Sequence, residues 1–409
     1  MKRKDAVQEA FENGEVFDAH RTFGRRFFFS TEDLEFGFRY FFGTVTHGGV
    51  EFGEMLYIAS RVNEKKLASF SREAILMAER VCQRARQSLK NGHIVSAREG
   101  LLRASYYYRI AGGVINPREK LLEWQAAHKK SRELFKEAAA NFNPPIETIE
   151  IPFEGTNLPG YFVKPDESQN PRKTIVMIGG TETFAEDLYF YLAPAAIKRG
   201  YNFVTIDIPG QGELPVEGKF FRHDTEVPIS VIVDYLLSRP DVDAERLAFF
   251  GYSGGGYLIP RACAYEPRIR ACIANSMLFD LDRIWRTTFL QFGELFKKRD
   301  PLSWLLADVL AWRWGCKDPL ALIPANKDFK FDPSLIKCPV LIVIGEGEYF
   351  GSKESRRQQD VAMERMPNPN KKIVIVRHEE GAGAHVTAEN LSLLNQIVFD
   401  WLDEVFEPF

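Results

Sequence analysis

One serine of the chain lies in a glycine-rich turn whose surroundings favour nucleophilic chemistry. Residues 251–256 read Gly-Tyr-Ser-Gly-Gly-Gly, so Ser253 occupies the centre of a G-x-S-x-G pattern. The turn follows the apolar run 246–250 and precedes a helix-like stretch. In that context the pattern exposes a serine hydroxyl at the carboxyl edge of a sheet, where the helix dipole would stabilise an anion. We therefore predict Ser253 as a nucleophile; the simpler alternative is a glycine-rich packing turn.

A serine hydroxyl needs a base within hydrogen-bond reach and an acid that orients the base. In strand–turn–helix sites of this kind, the order along the chain is serine, acid, histidine. Only His378 and His385 follow Ser253. We predict His385 as the base, because the glycine-rich loop before it can place an imidazole over the sheet edge. His378 ends an apolar run and is expected to have a local partner.

The acid is expected just beyond the apolar run 339–345. No aspartate occurs between Asp332 and Asp360, so a glutamate must serve, and Glu346 and Glu348 are the candidates. Glu348 stands further into the predicted loop, from which its side chain can turn toward the histidine. We predict Glu348 as the acid. Glu346 is the alternative acid. The remaining interpretation is that both glutamates are solvated charges of a loop.

An oxyanion intermediate would need two preorganised N–H donors. One is the backbone N–H of Gly254, which follows the nucleophile. The other is expected in the turn after the apolar run 174–180. We predict Thr181 as this donor, with Glu182 and Thr183 near it; a simple turn at the two preceding glycines is the alternative.

Two regions with different periodicity must position these groups. Residues 1–145 show apolar residues at three- and four-residue intervals up to Pro144-Pro145, which predicts a helical domain. Residues 146–409 begin with a hairpin pattern and continue with short apolar runs separated by helix-like stretches, which predicts an α/β domain with a mostly parallel sheet. The alternation breaks at 277–330, which we interpret as a helical insertion without strands, capping the sheet.

Composition excludes several classes of protein. The 409 residues are 45% hydrophobic and 27% charged, with a net charge of −3, which is ordinary for a soluble globular protein and does not favour nucleic-acid binding. No uncharged apolar run reaches roughly 18 residues, so no membrane span is expected. Five cysteines without paired spacing and the absence of a signal-like start favour the cytoplasm. No metal-ligand cluster and no dinucleotide or phosphate-binding pattern is present, so we predict neither metal nor cofactor.

Aromatic residues are abundant and suggest where a substrate binds. The chain has 33 phenylalanines, and eight of them lie between residues 23 and 42. They are typical either of a helical core or of an apolar substrate pocket. We predict that the pocket wall includes residues from the oxyanion turn, the serine turn and the insertion, namely Glu182, Phe184, Tyr252, Tyr257, Trp285 and Phe289; core packing is the alternative for the aromatic members.

Several motifs together resemble the α/β-hydrolase superfamily. They are "GGTETFAEDLYF" (179–190), "IDIPGQGE" (206–213), "GYSGGG" (251–256) and "GAGAHVTAEN" (381–390). More narrowly, with "SAREGLLRASYYYRIA" (96–111), the chain resembles the branch with a helical N-terminal domain. That branch includes 2,6-dihydroxypseudooxynicotine hydrolase, fungal polyketide-shortening pigment hydrolases and fermentation–respiration switch proteins. The resemblance implies Ser253 as nucleophile, His385 as base and a helical lid. The usual acid of the branch is aspartate, and Glu348 departs from it.

These observations predict a two-domain serine hydrolase acting on a bulky, aromatic or polyketide-like small molecule of secondary metabolism. Ester, amide and carbon–carbon cleavage beside a ketone all remain open; an additional acid in the pocket, Asp280, Asp282 or Glu182, would favour the last. An acyltransferase or cyclase with the same triad is an alternative. A binding or regulatory protein on a hydrolase scaffold is another. A homodimer through the helical region is also open.

Overall fold

The computed structural model describes residues 26–287 and 301–407. Five α-helices precede the first strand in this part of the chain. They are α1 (Glu32–Gly43), α2 (Phe52–Arg61), α3 (Leu67–Lys90), α4 (Ile94–Gly112) and α5 (Pro117–Ala139). The change from helices to strands falls between Ala139 and Glu147, where Pro144 and Pro145 cannot continue a helix.

Eight strands form one sheet in the described residues. They are β1 (Glu147–Phe153), β2 (Thr156–Val163), β3 (Arg172–Ile178), β4 (Asn202–Ile206), β5 (Val242–Tyr252), β6 (Ala271–Asn275), β7 (Val340–Gly345) and β8 (Lys371–Val376). Their spatial order is β1-β2-β4-β3-β5-β6-β7-β8. The pairs from β4 to β8 are all parallel, whereas β1 and β2 are antiparallel. The predicted mostly parallel α/β sheet is confirmed.

The predicted hairpin is the β1–β2 pair, and local backbone conformation explains its turn. Glu154 and Gly155 both have positive φ, 44° and 82°, as the tight turns that match strand twist require. One strand is shorter than predicted. The apolar run 203–210 leaves the sheet after Ile206, because Pro209 lacks an N–H donor and Gly210 has a φ of 96°. The loop that results returns toward the oxyanion turn.

Helices cover both faces of the sheet. They are α6 (Ala185–Lys198), α7 (Glu226–Leu237), α8 (Gly255–Tyr265), α9 (Pro301–Arg313), α10 (Leu322–Ala325), α11 (Glu346–Gly351), α12 (Lys353–Arg365) and α13 (Leu391–Phe406). The central strands are buried on both sides, which explains their near-continuous apolar sequences. None of the described helices is long and apolar enough to cross a membrane.

The N-terminal helices and the sheet share one apolar core. Tyr106 of α4 lies 4.6 Å from Phe190 of α6 between ring centroids, and Phe135 of α5 lies 4.6 Å from Tyr161 of β2. These buried residues belong to one cluster with the helix α1. The division into domains 1–145 and 146–409 therefore stays a prediction, and the apolar core is continuous across it.

The predicted insertion 277–330 contains helices where it is described. It was expected to contain no β-structure, and in this it differs from the prediction. Its ends pair through an isolated antiparallel bridge between Asp280 and Lys330. Hydrogen bonds flank the bridge, from Leu281 N–H to the Phe329 carbonyl at 2.9 Å and from Phe331 N–H to the Phe279 carbonyl at 3.0 Å. The two ends must leave and rejoin the sheet edge side by side, which brings their backbones within pairing distance. Residues 288–300 of the predicted insertion lie outside the described part.

If the core is shared, substituting a buried residue of α5 should destabilise the protein far more than substituting an exposed residue of the same helix. Phe135 is fully buried and contacts three aromatic rings, whereas Leu122 is 82% exposed. We expect Phe135→Ala to lower the free energy of unfolding by about 3–5 kcal/mol and Leu122→Ala to change it by less than about 0.5 kcal/mol. Urea denaturation followed by circular dichroism measures both. Equal effects of the two substitutions would contradict a core shared by helices and sheet.

Candidate active site

The serine turn is held by close packing of backbone against backbone. Ser253 has a φ of 54°, a left-handed conformation that is strained for a serine. Its N–H donates to the Asn275 carbonyl of β6 at 2.6 Å. A Cβ on Gly251 would lie 2.0 Å from the Gly255 carbonyl oxygen, and a Cβ on Gly256 would lie 1.7 Å from the Ser276 carbonyl oxygen. Only glycine fits these positions, so the glycines of the motif are explained sterically.

Three side chains form a continuous hydrogen-bonded relay at this turn. Ser253 Oγ lies 3.1 Å from His385 Nε2, and His385 Nδ1 lies 2.8 Å from Glu348 Oε2. An ionised carboxylate only accepts hydrogen bonds, so the proton of a neutral imidazole lies on Nδ1. The lone pair on Nε2 therefore faces the serine hydroxyl. This is the arrangement in which imidazole can remove the hydroxyl proton.

The structure distinguishes the two candidate acids. They were expected in a loop, but α11 is a short helix of six residues, and residues two positions apart on a helix point in nearly opposite directions. Glu348 accordingly faces His385. Glu346 faces the other way, where its carboxylate accepts the His378 N–H at 2.5 Å and pairs with Arg377 at 3.4 Å. The chain brings Glu348, and not Glu346, to the histidine.

The histidine loop is strained and is held from two elements. Val386 and Thr387 follow His385 with φ values of 56° and 52°. The Val386 carbonyl accepts the Asn275 amide at 2.9 Å and the Tyr191 hydroxyl at 2.5 Å. Because Asn275 also holds the serine N–H through its carbonyl, one residue of β6 positions the turns of both the serine and the histidine.

The two predicted oxyanion donors lie beside each other. A Cβ on Gly254 would lie 3.1 Å from the Thr181 backbone nitrogen, and a Cβ on Gly180 would lie 3.0 Å from Ser253 Cβ. Among the turns and loops of the described residues, neither the Gly254 N–H nor the Thr181 N–H donates to a backbone carbonyl. Two N–H groups next to the serine thus remain for a ligand oxygen.

A buried arginine of α4 fixes the oxyanion turn. Arg109 donates to the Asp187 carboxylate at 2.9 Å and to the Glu182 carbonyl at 2.7 Å. Asp187 also accepts the Phe184 N–H at 3.1 Å. Burial raises the pKa of the Asp187 carboxyl, while the adjacent Arg109 acts in the opposite direction. The helical N-terminal region therefore holds the segment that carries Thr181.

The helix α1 covers the relay with two side chains one turn apart. The Phe36 ring lies 6.0 Å from the His385 ring between centroids. The Tyr40 hydroxyl lies 2.6 Å from the hydroxyl of Tyr252, the residue before the serine. Arg39 pairs with Glu389 just beyond the histidine. Phe36 thus belongs to the phenylalanine-rich segment but lies at the site, whereas Phe38 of the same segment is fully buried in the core.

The remaining predicted pocket residues lie in different surroundings. Phe184 is 3% exposed, its ring centroid lies 4.0 Å from that of His128, and the guanidinium carbons of Arg109 and Arg313 lie 4.8 and 5.6 Å from it. Tyr257 is fully buried and its ring contacts those of Phe329 and Phe331. The Trp285 ring lies 6.2 Å from the Trp314 ring between centroids. Phe289 lies outside the described residues. A pocket-wall role for these four side chains, and for Glu182 and Tyr252, stays a prediction.

Comparison with known proteins identifies the family. The sequence model of the FrsA-like esterase family matches residues 70–319, which include α4, the oxyanion turn and the serine turn. The chain belongs to this family. It is therefore a hydrolase with the α/β-hydrolase fold, as its motifs led us to expect.

Individual relatives match nearly the whole length of the chain. Hydrolase LUC6 of a Fusarium species is 28% identical, over 95% of this chain and 98% of that protein. The 20-hydroxy-prefusarin hydrolase FUS2 of Gibberella moniliformis is 29% identical, over 92% and 97%. The crystal structure of 2,6-dihydroxy-pseudo-oxynicotine hydrolase superposes with a TM-score of 0.71 at 24% identity, over 90% of this chain and 96% of that one, which shows a shared fold.

Sequence reasoning missed Tyr40, Arg109, Tyr191 and Asn275. A signal existed for Arg109, which is a lone charge within the apolar, aromatic stretch 104–112, where a buried partner is expected. Tyr40 lies four residues after Phe36, a spacing that places both on one face of a helix, and this spacing was visible in the phenylalanine-rich segment. Nothing local marks Tyr191 or Asn275, because the Val386 carbonyl that both contact lies more than a hundred residues away in the chain.

The opposite orientations of the two glutamates make a prediction about the acid. We expect Glu348→Gln to slow fluorophosphonate labelling of Ser253 by roughly 10³–10⁴-fold, because an amide cannot hold the imidazolium that forms. Glu346→Gln is the matched control and should slow labelling by no more than a few-fold. Labelling rates followed by intact mass measure both. If Glu346→Gln slowed labelling more than Glu348→Gln, Glu346 and not Glu348 would be the acid that orients His385.

Proposed function

We propose that the protein is a serine hydrolase that attacks an activated carbonyl of a bulky, aromatic or polyketide-like small molecule through an acyl-enzyme. The observation that carries this proposal is the continuous relay from Glu348 through His385 to Ser253, with distances of 2.8 and 3.1 Å. Such a relay converts a weak serine nucleophile into an effective one.

The geometry supports a two-step reaction. Ser253 Oγ attacks the carbonyl carbon while His385 Nε2 takes its proton, and Glu348 stabilises the imidazolium. The N–H groups of Gly254 and Thr181 would receive the oxyanion of the tetrahedral intermediate. The intermediate then collapses, and the proton on His385 passes to the leaving group; for a carbon leaving group, Glu182 gives its proton to the carbon and regains one from His385. Water repeats the sequence on the acyl-enzyme and releases the acid and the free serine.

The substrate class is inferred from the side chains that cover the relay. Phe36 places an aromatic ring beside the histidine, and Tyr40 of the same helix reaches Tyr252, the residue before the serine. Aromatic walls with few polar groups are typical of sites for apolar small molecules. One relative at 29% identity is a 20-hydroxy-prefusarin hydrolase, which fits a bulky natural product. An aromatic or polyketide-like substrate agrees with both observations.

The position of Glu182 favours carbon–carbon cleavage among the reactions that this relay can perform. A carbon leaving group must be protonated, whereas a phenolate is stable without a proton. Glu182 follows the oxyanion donor directly, and its carboxylate adds to the burial that raises the pKa of Tyr40. We therefore take Glu182 as the candidate proton donor, because it directly follows the predicted oxyanion donor Thr181 in the chain.

Covalent labelling tests the nucleophile. We expect a fluorophosphonate to add once to the wild-type protein, and Ser253→Ala and His385→Ala to remove or nearly remove this adduct. Ser60→Ala, which changes an exposed serine of α2, is the matched control and should be labelled like the wild type. Intact mass measures the adduct, and peptide mapping locates it. An adduct that persists in Ser253→Ala would overturn the assignment.

A pair of substrates tests the role of Glu182. We expect Glu182→Gln to lower kcat for cleavage of 1-phenyl-1,3-butanedione by roughly 10²-fold or more, the contribution of a general acid. Hydrolysis of phenyl butyrate should fall much less, since phenolate leaves without assistance. Asp282→Asn serves as control and should affect neither reaction. An equal loss on the two substrates would show that Glu182 positions the oxyanion turn instead of donating a proton.

A further inference from the structure

Two phenol groups meet beside the nucleophile, one from α1 and one from the serine turn. Tyr40 Oη lies 2.6 Å from Tyr252 Oη. The Tyr252 ring stacks on Tyr191 with a centroid distance of 4.8 Å and an interplanar angle of 9°, and the Tyr40 ring lies 6.1 Å from the same Tyr191 ring. Stacking fixes both rings, so the hydroxyls are held at a defined place.

The hydrogen bonds of this pair leave one proton unused. Two hydroxyls carry two protons, and the bond between them uses one. Neither hydroxyl has another hydrogen-bond partner among the described residues. Tyr252 is 2% exposed, whereas Tyr40 keeps part of its surface exposed. A buried donor without an acceptor is costly, so Tyr252 donates to Tyr40. The remaining proton is therefore on Tyr40.

The surroundings of Tyr40 place this remaining donor at the active site. Tyr252 directly precedes Ser253 in the chain. Phe36, one turn before Tyr40 on the same helix, contacts the His385 ring at 6.0 Å. Burial raises the pKa of the Tyr40 phenol, and the nearby carboxylates of Asp187 and Glu182 add to this effect. The phenol stays protonated at neutral pH and is available as a donor.

We propose that the Tyr40–Tyr252 pair binds a second oxygen of the substrate, a ketone or enolate oxygen distinct from the carbonyl that Ser253 attacks. This inference rests on the proposed serine hydrolysis, because it assigns a substrate contact within the same site. It defines the substrate class more closely as a 1,3-dicarbonyl compound or its enol, in which two oxygens are held in fixed relation. The N–H groups of Gly254 and Thr181 receive one oxygen, and the Tyr40 hydroxyl donates to the other.

A merely structural role for the pair makes a different prediction. If the hydroxyls only hold α1 against the serine turn, their loss loosens the lid and affects all ligands equally. If Tyr40 binds an oxygen, its loss affects only ligands that carry that oxygen. Two isosteric aryl ketones separate these cases: 1-phenyl-1,3-butanedione has the second oxygen, and 1-phenylbutan-1-one has a methylene group in its place.

The experiment measures how each ketone protects Ser253 from fluorophosphonate labelling, over a time in which little ketone is consumed. For the wild type we expect the diketone to protect at a concentration roughly 5- to 10-fold lower than the monoketone, the effect of one hydrogen bond. In Tyr40→Phe the ratio should fall to about one. In Tyr57→Phe, which removes a hydroxyl from an exposed residue of α2, the wild-type ratio should remain.

Tyr252→Phe provides a second variant that identifies the terminal donor. It leaves the Tyr40 proton in place, so a smaller loss of the ratio is expected than in Tyr40→Phe. The reverse order, a wild-type ratio of about one, or a ratio that persists in Tyr40→Phe would each overturn the proposal. A wild-type protein that is not labelled at Ser253 would instead refute the proposed hydrolase function, so the two failures are distinguishable.

Discussion

The backbone of the serine turn packs directly against the backbone of its neighbours, and every other group of the site is placed relative to it. Side chains at Gly251 and Gly256 would overlap carbonyl oxygens within 2.0 Å. With no room for a Cβ, β5 and α8 meet at a sharp angle, and Ser253 is forced into a left-handed conformation. Strain of this kind persists only where the surrounding structure determines it. Here that structure is β6, through the Asn275 carbonyl.

The second strained segment, the histidine loop, is tied to the same strand. The amide of Asn275 and the hydroxyl of Tyr191 both donate to the Val386 carbonyl. A 3.1 Å contact between serine and imidazole requires that two loops more than a hundred residues apart be fixed in one frame. A single asparagine at the end of β6 supplies that frame, with its carbonyl on one loop and its amide on the other.

The helical N-terminal region contributes to the site and is more than a cover. Arg109 forms a buried ion pair with Asp187 and holds the turn of the predicted oxyanion donor. Removing one partner of such a pair leaves an uncompensated buried charge, which destabilises a protein by about 3–5 kcal/mol. The insertion contributes a second buried cation. Burial lowers the pKa of Arg313 of α9 to about 10, and its guanidinium donates to the carbonyls of Gly210 and Gly212. Both arginines lie against the ring of Phe184, which follows the oxyanion turn. The N-terminal helices, the insertion and the oxyanion turn therefore meet at this ring.

The sequence by itself determined the α/β class, the order of the strands and helices, and the residues on which the chemistry is proposed to depend. These features are local: periodicity reports burial of one face, and the glycines around Ser253 report a steric requirement of their own turn. Only the tertiary structure decided between Glu346 and Glu348, because the choice depends on which side of a short helical turn faces His385. It also brought Tyr40, Arg109 and Asn275 to the site. Their roles arise from contacts between distant segments, and the local sequence, even where it indicates that Arg109 needs a buried partner, does not identify that partner.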